Sequence, residues 1–127
     1  MTEPLWIEER DTLVLHDHLL ALHGGAAGIR DDALLKSALA RPQQIYAYAD
    51  SPDLIDLAAA YTVGIVRNHP FIDGNKRTGF VVGILFLELN GYRFSANEAD
   101  AAQAVLALAA GTLEEASYAA FLRANNG

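Results

Sequence analysis

The chain has 127 residues, 52% of them hydrophobic, with no cysteine and a formal net charge of −7. That length suits a single domain, 1–127, with ample apolar residues for a core; the acidic balance excludes a surface built for nucleic acid, which needs a basic footprint, and the missing cysteine excludes disulfide and thiol chemistry. The acidic start MTEPLWIEERD has no apolar region of the signal-peptide kind, and the longest apolar run, Gly79 to Leu87, is too short to span a bilayer, so the cytoplasm is the expected compartment.

Trp6 to about His23 reads as a helix, with Leu13, Leu19, Leu20 and Leu22 facing the core and Gly24-Gly25 stopping it. His16 and His18 are two apart and point to different helix faces, so a shared metal is disfavoured and the histidines here, His23 included, read as a solvated face. Gly24 to Asp32 is a Gly- and Ala-rich connection. Asp31 or Asp32 then caps a short helix, Ala33 to Ala40, which ends before Pro42, and Gln43 to Asp50 forms another short helix or turn closed by Ser51-Pro52. Arg30, Lys36 and Arg41 read as solvated charges. Asp53 to Asn68 carries one apolar stripe at helical spacing, Leu54, Leu57, Ala58, Tyr61, Ile65 and Val66, and Pro52 suits its start.

Between this helix and the next lies His69-Pro70-Phe71-Ile72-Asp73-Gly74-Asn75-Lys76-Arg77-Thr78-Gly79. Pro70 forces His69 out of the α region, so the incoming helix stops at about Asn68. Asp73-Gly74 is a turn signal, with Gly74 free to take a positive φ or to let a ligand approach the backbone. Asn75 is then the expected N-cap of the following helix, whose first N–H groups point outward as an anion site. Lys76 and Arg77 put two positive charges at that helix start, which is unfavourable unless an anion such as phosphate neutralises them. His69 is a candidate general base for an attacking hydroxyl. Asp73 beside a polyphosphate is a candidate ligand for Mg²⁺. Base, metal and anion clamp together describe phosphoryl or nucleotidyl transfer. The plain alternative is an ordinary helix–turn–helix corner with a buried histidine and exposed Lys76 and Arg77. Phe71 reads as a core anchor for the loop, and Pro70 as shaping it.

Asn75 to Asn90 is apolar nearly all round (Phe80, Val81, Val82, Ile84, Leu85, Phe86, Leu87, Leu89), the mark of a central, buried helix. Gly79 and Gly83, four apart on one face, cost helix propensity and predict a close-packed neighbour. Asn90-Gly91 caps it, and Tyr92 to Phe94 is a brief extended piece. Ser95 to Ala110 and Thr112 to Ala124 form two further helices, with Ala101, Ala104, Val105 and Leu108 facing the core from the first and Tyr118, Phe121 and Leu122 from the second. The expected fold class is therefore all-α, a bundle of about six or seven helices around a central buried helix.

The run HPFIDGNKR closely resembles the signature of the Fic/Doc superfamily, HPFxxGN followed by Gly or Lys and then Arg. Fic-type members have Gly after the Asn and a second Arg three residues beyond the first; here those positions hold Lys76 and Phe80, which is the pattern of the Doc (death-on-curing) toxin subfamily. The stretches GIRDDALLKSALARP, FLELNGYRF and AAGTLEEASYAAFLR look like the same subfamily. The resemblance implies the Fic/Doc fold and a toxin of a toxin–antitoxin pair that transfers phosphate from ATP, with Mg²⁺, to a hydroxyl of translation elongation factor Tu. It implies His69 as base, Asp73 as metal ligand, and Gly74, Asn75, Lys76 and Arg77 as the phosphate site. By resemblance Gly28 to Arg30 is a flap that positions the target's backbone; a plain loop is the other reading. No self-inhibitory (Ser/Thr)xxxE(Gly/Asn) motif is present, so a separate Phd-like antitoxin is the expected partner. Two other functions stay open: adenylyl transfer of the Fic kind, and a catalytically silent antitoxin-binding module.

Overall fold

The computed structural model describes residues 3–126. Six α-helices follow one another: α1 Glu9–His23, α2 Asp32–Tyr48, α3 Leu54–Asn68, α4 Asn75–Leu89, α5 Glu98–Ala110 and α6 Glu115–Ala124. Among the described residues the β-structure amounts to isolated antiparallel bridges, Ile29 with Phe71 and Phe94 with Asn126. The fold is all-α, as the periodicities predict. None of the described helices is long and apolar enough to cross a membrane.

The central helix is α3, which packs against α2, α4, α5 and α6. Every residue from Leu57 to Val66 is buried. That enclosure corrects the expectation for α4: although apolar all round, it leaves Phe80, Val81, Ile84 and Leu85 half-buried and Leu89 exposed. Apolar sequence sets how much surface a helix wants covered, but the number of neighbours decides which helix sits in the middle.

The contact between α3 and α4 is closed by glycine. A Cβ at Gly83 would lie 2.3 Å from Thr62 Oγ1 and 3.0 Å from the Ala58 carbonyl oxygen, and one at Gly79 would lie 3.0 Å from Val66 Cγ2. Thr62 Oγ1 donates to the Gly79 carbonyl at 2.8 Å across the same seam. On the α4 side of this seam there is no side chain, so the Thr62 and Val66 side chains of α3 lie directly against the α4 backbone.

Helix α2 runs unbroken through Pro42, where two shorter segments were expected. Proline in a helix interior removes a hydrogen bond and crowds the carbonyl four residues back. Here Pro42 is buried alongside Leu35, Ala38 and Leu39 on the face turned to α3, and that burial outweighs the local cost. The N-cap of α2 is Asp31, whose side chain accepts from the Leu34 N–H. Residues Trp6 and Ile7, expected in α1, instead precede it: Ile7 donates its N–H to the buried Tyr61 hydroxyl at 3.0 Å, and Trp6 stacks on Phe86. Leu22 lies on the exposed side of α1, not in the core. Helices α5 and α6 begin three residues later than the sequence suggests; before α5, Ser95 donates its N–H to the Asn125 carbonyl and draws its segment against the C-terminal end of the described chain, and before α6, the N–H groups of Thr112 and Leu113 turn back to the Ala107 carbonyl.

Candidate active site

Helix α3 ends where Pro70 predicts, at Asn68. His69 then takes left-handed backbone angles (φ 53°, ψ 54°), a conformation more usual for glycine at a helix C-terminus, and its N–H returns to the Ile65 carbonyl at 3.1 Å. The turn throws the chain into a short loop whose underside is Phe71, fully buried as expected of an anchor.

Asn75 closes that loop. Its Oδ1 accepts from the Phe71 N–H and its Nδ2 donates to the Phe71 carbonyl, both at 2.9 Å, and the side chain is buried. This corrects its expected place as N-cap: Gly74 caps α4 with φ 81°, and Asn75 is the first helical residue. An amide satisfied on both sides by one residue shapes the loop, so any part it has in a phosphate site would be through the backbone it holds.

No side chain caps α4, and its first turn has no acidic residue. Lys76 and Arg77 stand there instead, both exposed. Each of the other five helices has an aspartate or glutamate in its first turn. The start of α4 therefore combines open N–H groups, the positive end of the helix dipole and two cations, the arrangement an anion needs.

Asp73 is held just before this helix start. Its Oδ2 accepts from the Ala26 N–H at 3.2 Å and its Oδ1 from the Gly74 N–H at 2.8 Å. Those two N–H groups lower its pKa from the ordinary carboxylate value, slight desolvation opposes them, and Arg77 and His16 add smaller attractions. The Ala26 contact shows that the connection between α1 and α2 folds over the loop; a Cβ at Gly25 would lie 2.7 Å from Asp73 Oδ2. Among the described residues no three His, Cys, Asp or Glu side chains cluster as a metal site. A single ionised carboxylate beside an anion site is nevertheless a donor set that fits Mg²⁺, which takes one or two carboxylates and fills its remaining positions with substrate phosphate and water.

Two residues take part that the sequence reading placed in solvent. His16 is buried, stacks on Phe71 with ring centroids 3.8 Å apart, and donates through Nε2 to the Asp73 carbonyl at 2.8 Å. The available signal was its i, i+4 alignment with Thr12 and Leu20; Thr12 is also buried, and Leu20 Cδ2 lies within 3.6 Å of where a Gly74 Cβ would be. His18 is exposed, as expected. The other missed residue is Arg30, whose guanidinium donates to the carbonyls of His69 (2.6 Å) and Asn68 (2.9 Å). Lys36 and Arg41 are likewise paired, Lys36 with Glu9 and Asp32, and Arg41 with Glu115. Residues Gly28 to Asp31 run alongside the loop: Ile72 donates to the Gly28 carbonyl, and the N–H groups of Arg30 and Asp31 share the Pro70 carbonyl.

His69, Asp73, Lys76 and Arg77 all open onto solvent. Surface cavities of about 620 Å³, between the start of α1 and α2, and about 330 Å³, between α2, α3 and α6, lie away from them. These candidate residues form an open ledge, accessible to a macromolecule.

Comparison with known proteins finds a family and two relatives. The family described as Fic/DOC matches residues 6–87. "Protein kinase doc" of Escherichia phage P1 is 32% identical over 117 residues, which cover 92% of each chain. "Toxin Doc" of Mycolicibacterium smegmatis (strain ATCC 700084 / mc(2)155) is 43% identical over 75 residues, 58% of each chain.

Proposed function

The chain belongs to the Fic/Doc family, and from that premise we propose that it is a Doc-type toxin that transfers the γ-phosphate of ATP to a hydroxyl of a protein, elongation factor Tu being the proposed target. The relatives carry the names of a toxin and a protein kinase, which supports the class of activity. The observation that carries the chemistry is the start of α4, without a side-chain cap and bearing Lys76 and Arg77 where every other described helix places an acid.

In this reading the ATP phosphates lie against the N–H groups of α4 and the side chains of Lys76 and Arg77, with Gly74 leaving room for close approach. Asn75 keeps that backbone in place through Phe71. Asp73 would hold Mg²⁺, which when bound supplies charge neutralisation for the phosphates. A target hydroxyl entering from the solvent side passes its proton to His69 as its oxygen attacks the γ-phosphorus; the bond from that phosphorus to the β,γ-bridging oxygen breaks and ADP leaves. Lys76 favours the γ-phosphate reading over adenylyl transfer, because it fills with a charged side chain the position that is glycine in Fic-type members. The antitoxin of such a toxin is the proposed regulatory partner, a Phd-like protein.

The test uses purified protein, Mg²⁺ and a bacterial cytosolic extract, with ATP labelled at the γ-phosphate in one reaction and at the α-phosphate in another. Label moving to one protein only from the γ position is the expected result. Transfer only from the α position would assign adenylyl transfer instead. His69→Ala should lower the rate by about 10²- to 10⁴-fold, the usual contribution of a general base, and a silent binding module would keep its cellular effect in that variant.

A further inference from the structure

We propose that Arg30 is a positioning residue for His69, holding the base in its left-handed backbone conformation and making that conformation depend on the segment between α1 and α2. The inference rests on the reading of His69 as the base.

His69 is the one non-glycine residue with positive φ among those described. Left-handed angles crowd a Cβ against its own carbonyl, so a side chain there persists only where surrounding contacts over-determine the backbone. Within α3, the His69 N–H returns to the Ile65 carbonyl; from outside the helix, the contacts come from Arg30. Arg30 Nε donates to the His69 carbonyl at 2.6 Å and Nη2 to the Asn68 carbonyl at 2.9 Å. The planar guanidinium delivers the two bonds in one fork, so the two carbonyls are fixed relative to each other as well as to Arg30. They are also last-turn and cap carbonyls of α3, oxygens that have no partner within the helix and sit at the negative end of its dipole.

Arg30 is itself anchored from both sides. Its N–H and that of Asp31 donate to the Pro70 carbonyl at 2.6 and 3.0 Å, and Asp31 caps α2 through the Leu34 N–H. Asn68 Nδ2 then returns to the Leu34 carbonyl at 3.0 Å, so the start of α2 and the end of α3 are tied independently of the guanidinium. That independence matters: removing the guanidinium should leave the two helices docked and release only the peptide groups around His69. A point charge on an ammonium could reach one carbonyl or the other, and lysine is therefore a partial substitute.

The experiment compares Arg30→Met, which keeps the aliphatic length without donors, Arg30→Lys and the wild-type chain. Two readouts are taken: backbone amide exchange without nucleotide, and the kcat and ATP KM of transfer. In Arg30→Met the His69 amide, bonded to Ile65 in the wild type, should exchange on the order of tenfold faster while amides of the α3 interior are unchanged, the ratio expected for a local loss of about one hydrogen bond. The kcat should fall by about 10²-fold, the cost of a base displaced by roughly 1 Å, with the KM for ATP unchanged and Arg30→Lys intermediate. Unchanged His69 exchange in Arg30→Met would overturn the proposal, as would wild-type kcat. Faster exchange throughout α3 would also overturn it, by making Arg30 a general structural residue. Should the wild-type chain transfer no phosphate at all, the proposed function fails, yet exchange at His69 still decides whether Arg30 holds it.

Discussion

The N-termini of α3 and α4 solve the same physical problem in opposite ways. At the start of α3, Asp53 accepts from the Ile55 N–H at 2.8 Å, Asp56 adds a second negative charge in the first turn, and Arg123 of α6 comes within 2.9 Å of Asp53 and 3.4 Å of Asp56 to balance them. A first-turn N–H group, the dipole and the carboxylates each find a partner within the chain itself. At the start of α4 none of this is present: glycine caps, and two cations face the positive end of the dipole. The fold caps α2, α3 and α5 with side chains and places an acid in the first turn of every described helix but α4, so the start of α4 has neither, and an anion is the ligand that would complete it.

The largest effect should come from making α4 resemble α3. Lys76→Glu puts a carboxylate in the first turn, removes a phosphate contact and repels what remains. ATP binding should weaken by about 10- to 100-fold, the worth of one charge-assisted hydrogen bond. The ligand-free protein should gain stability, by about 0.3–1 kcal/mol from the dipole term. Lys76 is the cleaner choice, since Arg77→Glu would set a second negative charge near Asp73, which Arg77 attracts in the wild type. Calorimetric titration with ATP and a thermal melt of the same sample check both halves. A variant that loses binding and stability together would show that Lys76 serves the fold.

That opposition was legible in the sequence only in part. Lys76 and Arg77 beside Asp73-Gly74 announce an anion site by their charges, and the glycines four apart in α4 announce a close neighbour; both follow from local pattern. Which helix is central was not legible, because α3 and α4 are both apolar and only the packing of α2, α5 and α6 onto α3 separates them. His16, Arg30 and the amide of Asn75 were misplaced for a related reason. Each is a polar side chain whose partner is a backbone group, and backbone groups have no signature in sequence. His16 reaches 57 residues along the chain to the Asp73 carbonyl, and Arg30 reaches 39 residues to that of His69.

A smaller effect should follow from Asp53→Ala, which strips the self-sufficient end of the comparison. The cap is lost, at a cost of about 1 kcal/mol, and Arg123 keeps only the longer contact to Asp56. Since Asp53 is far along α3 from His69, ATP affinity and transfer rate should remain at wild-type values while the urea midpoint falls. A change in transfer rate larger than about twofold would mean that the two ends of α3 are coupled, and the division between a structural and a ligand-binding helix start would have to be given up.

The smallest effect is expected for Arg123→Met. Its guanidinium donates to two carboxylates from the surface, and the two ion pairs are about half exposed. Asp53 and Asp56 lie beside it, and its pKa is raised first by the hydrogen bond it donates to Asp53 and then by the charges of both. Pairs of this kind contribute about 0–1 kcal/mol and are weakened by salt, so the loss of stability should be small and should shrink further between low and high ionic strength. The contrast with α4 sharpens on this point. Removing the α6 cation from beside α3 leaves two carboxylates at a helix N-terminus, where the dipole still favours them, whereas the start of α4 without an anion has two cations where the dipole opposes them. Stability of the wild-type chain should therefore rise with added inorganic phosphate beyond the general salt effect, and in Arg123→Met that phosphate-dependent increment should be unchanged.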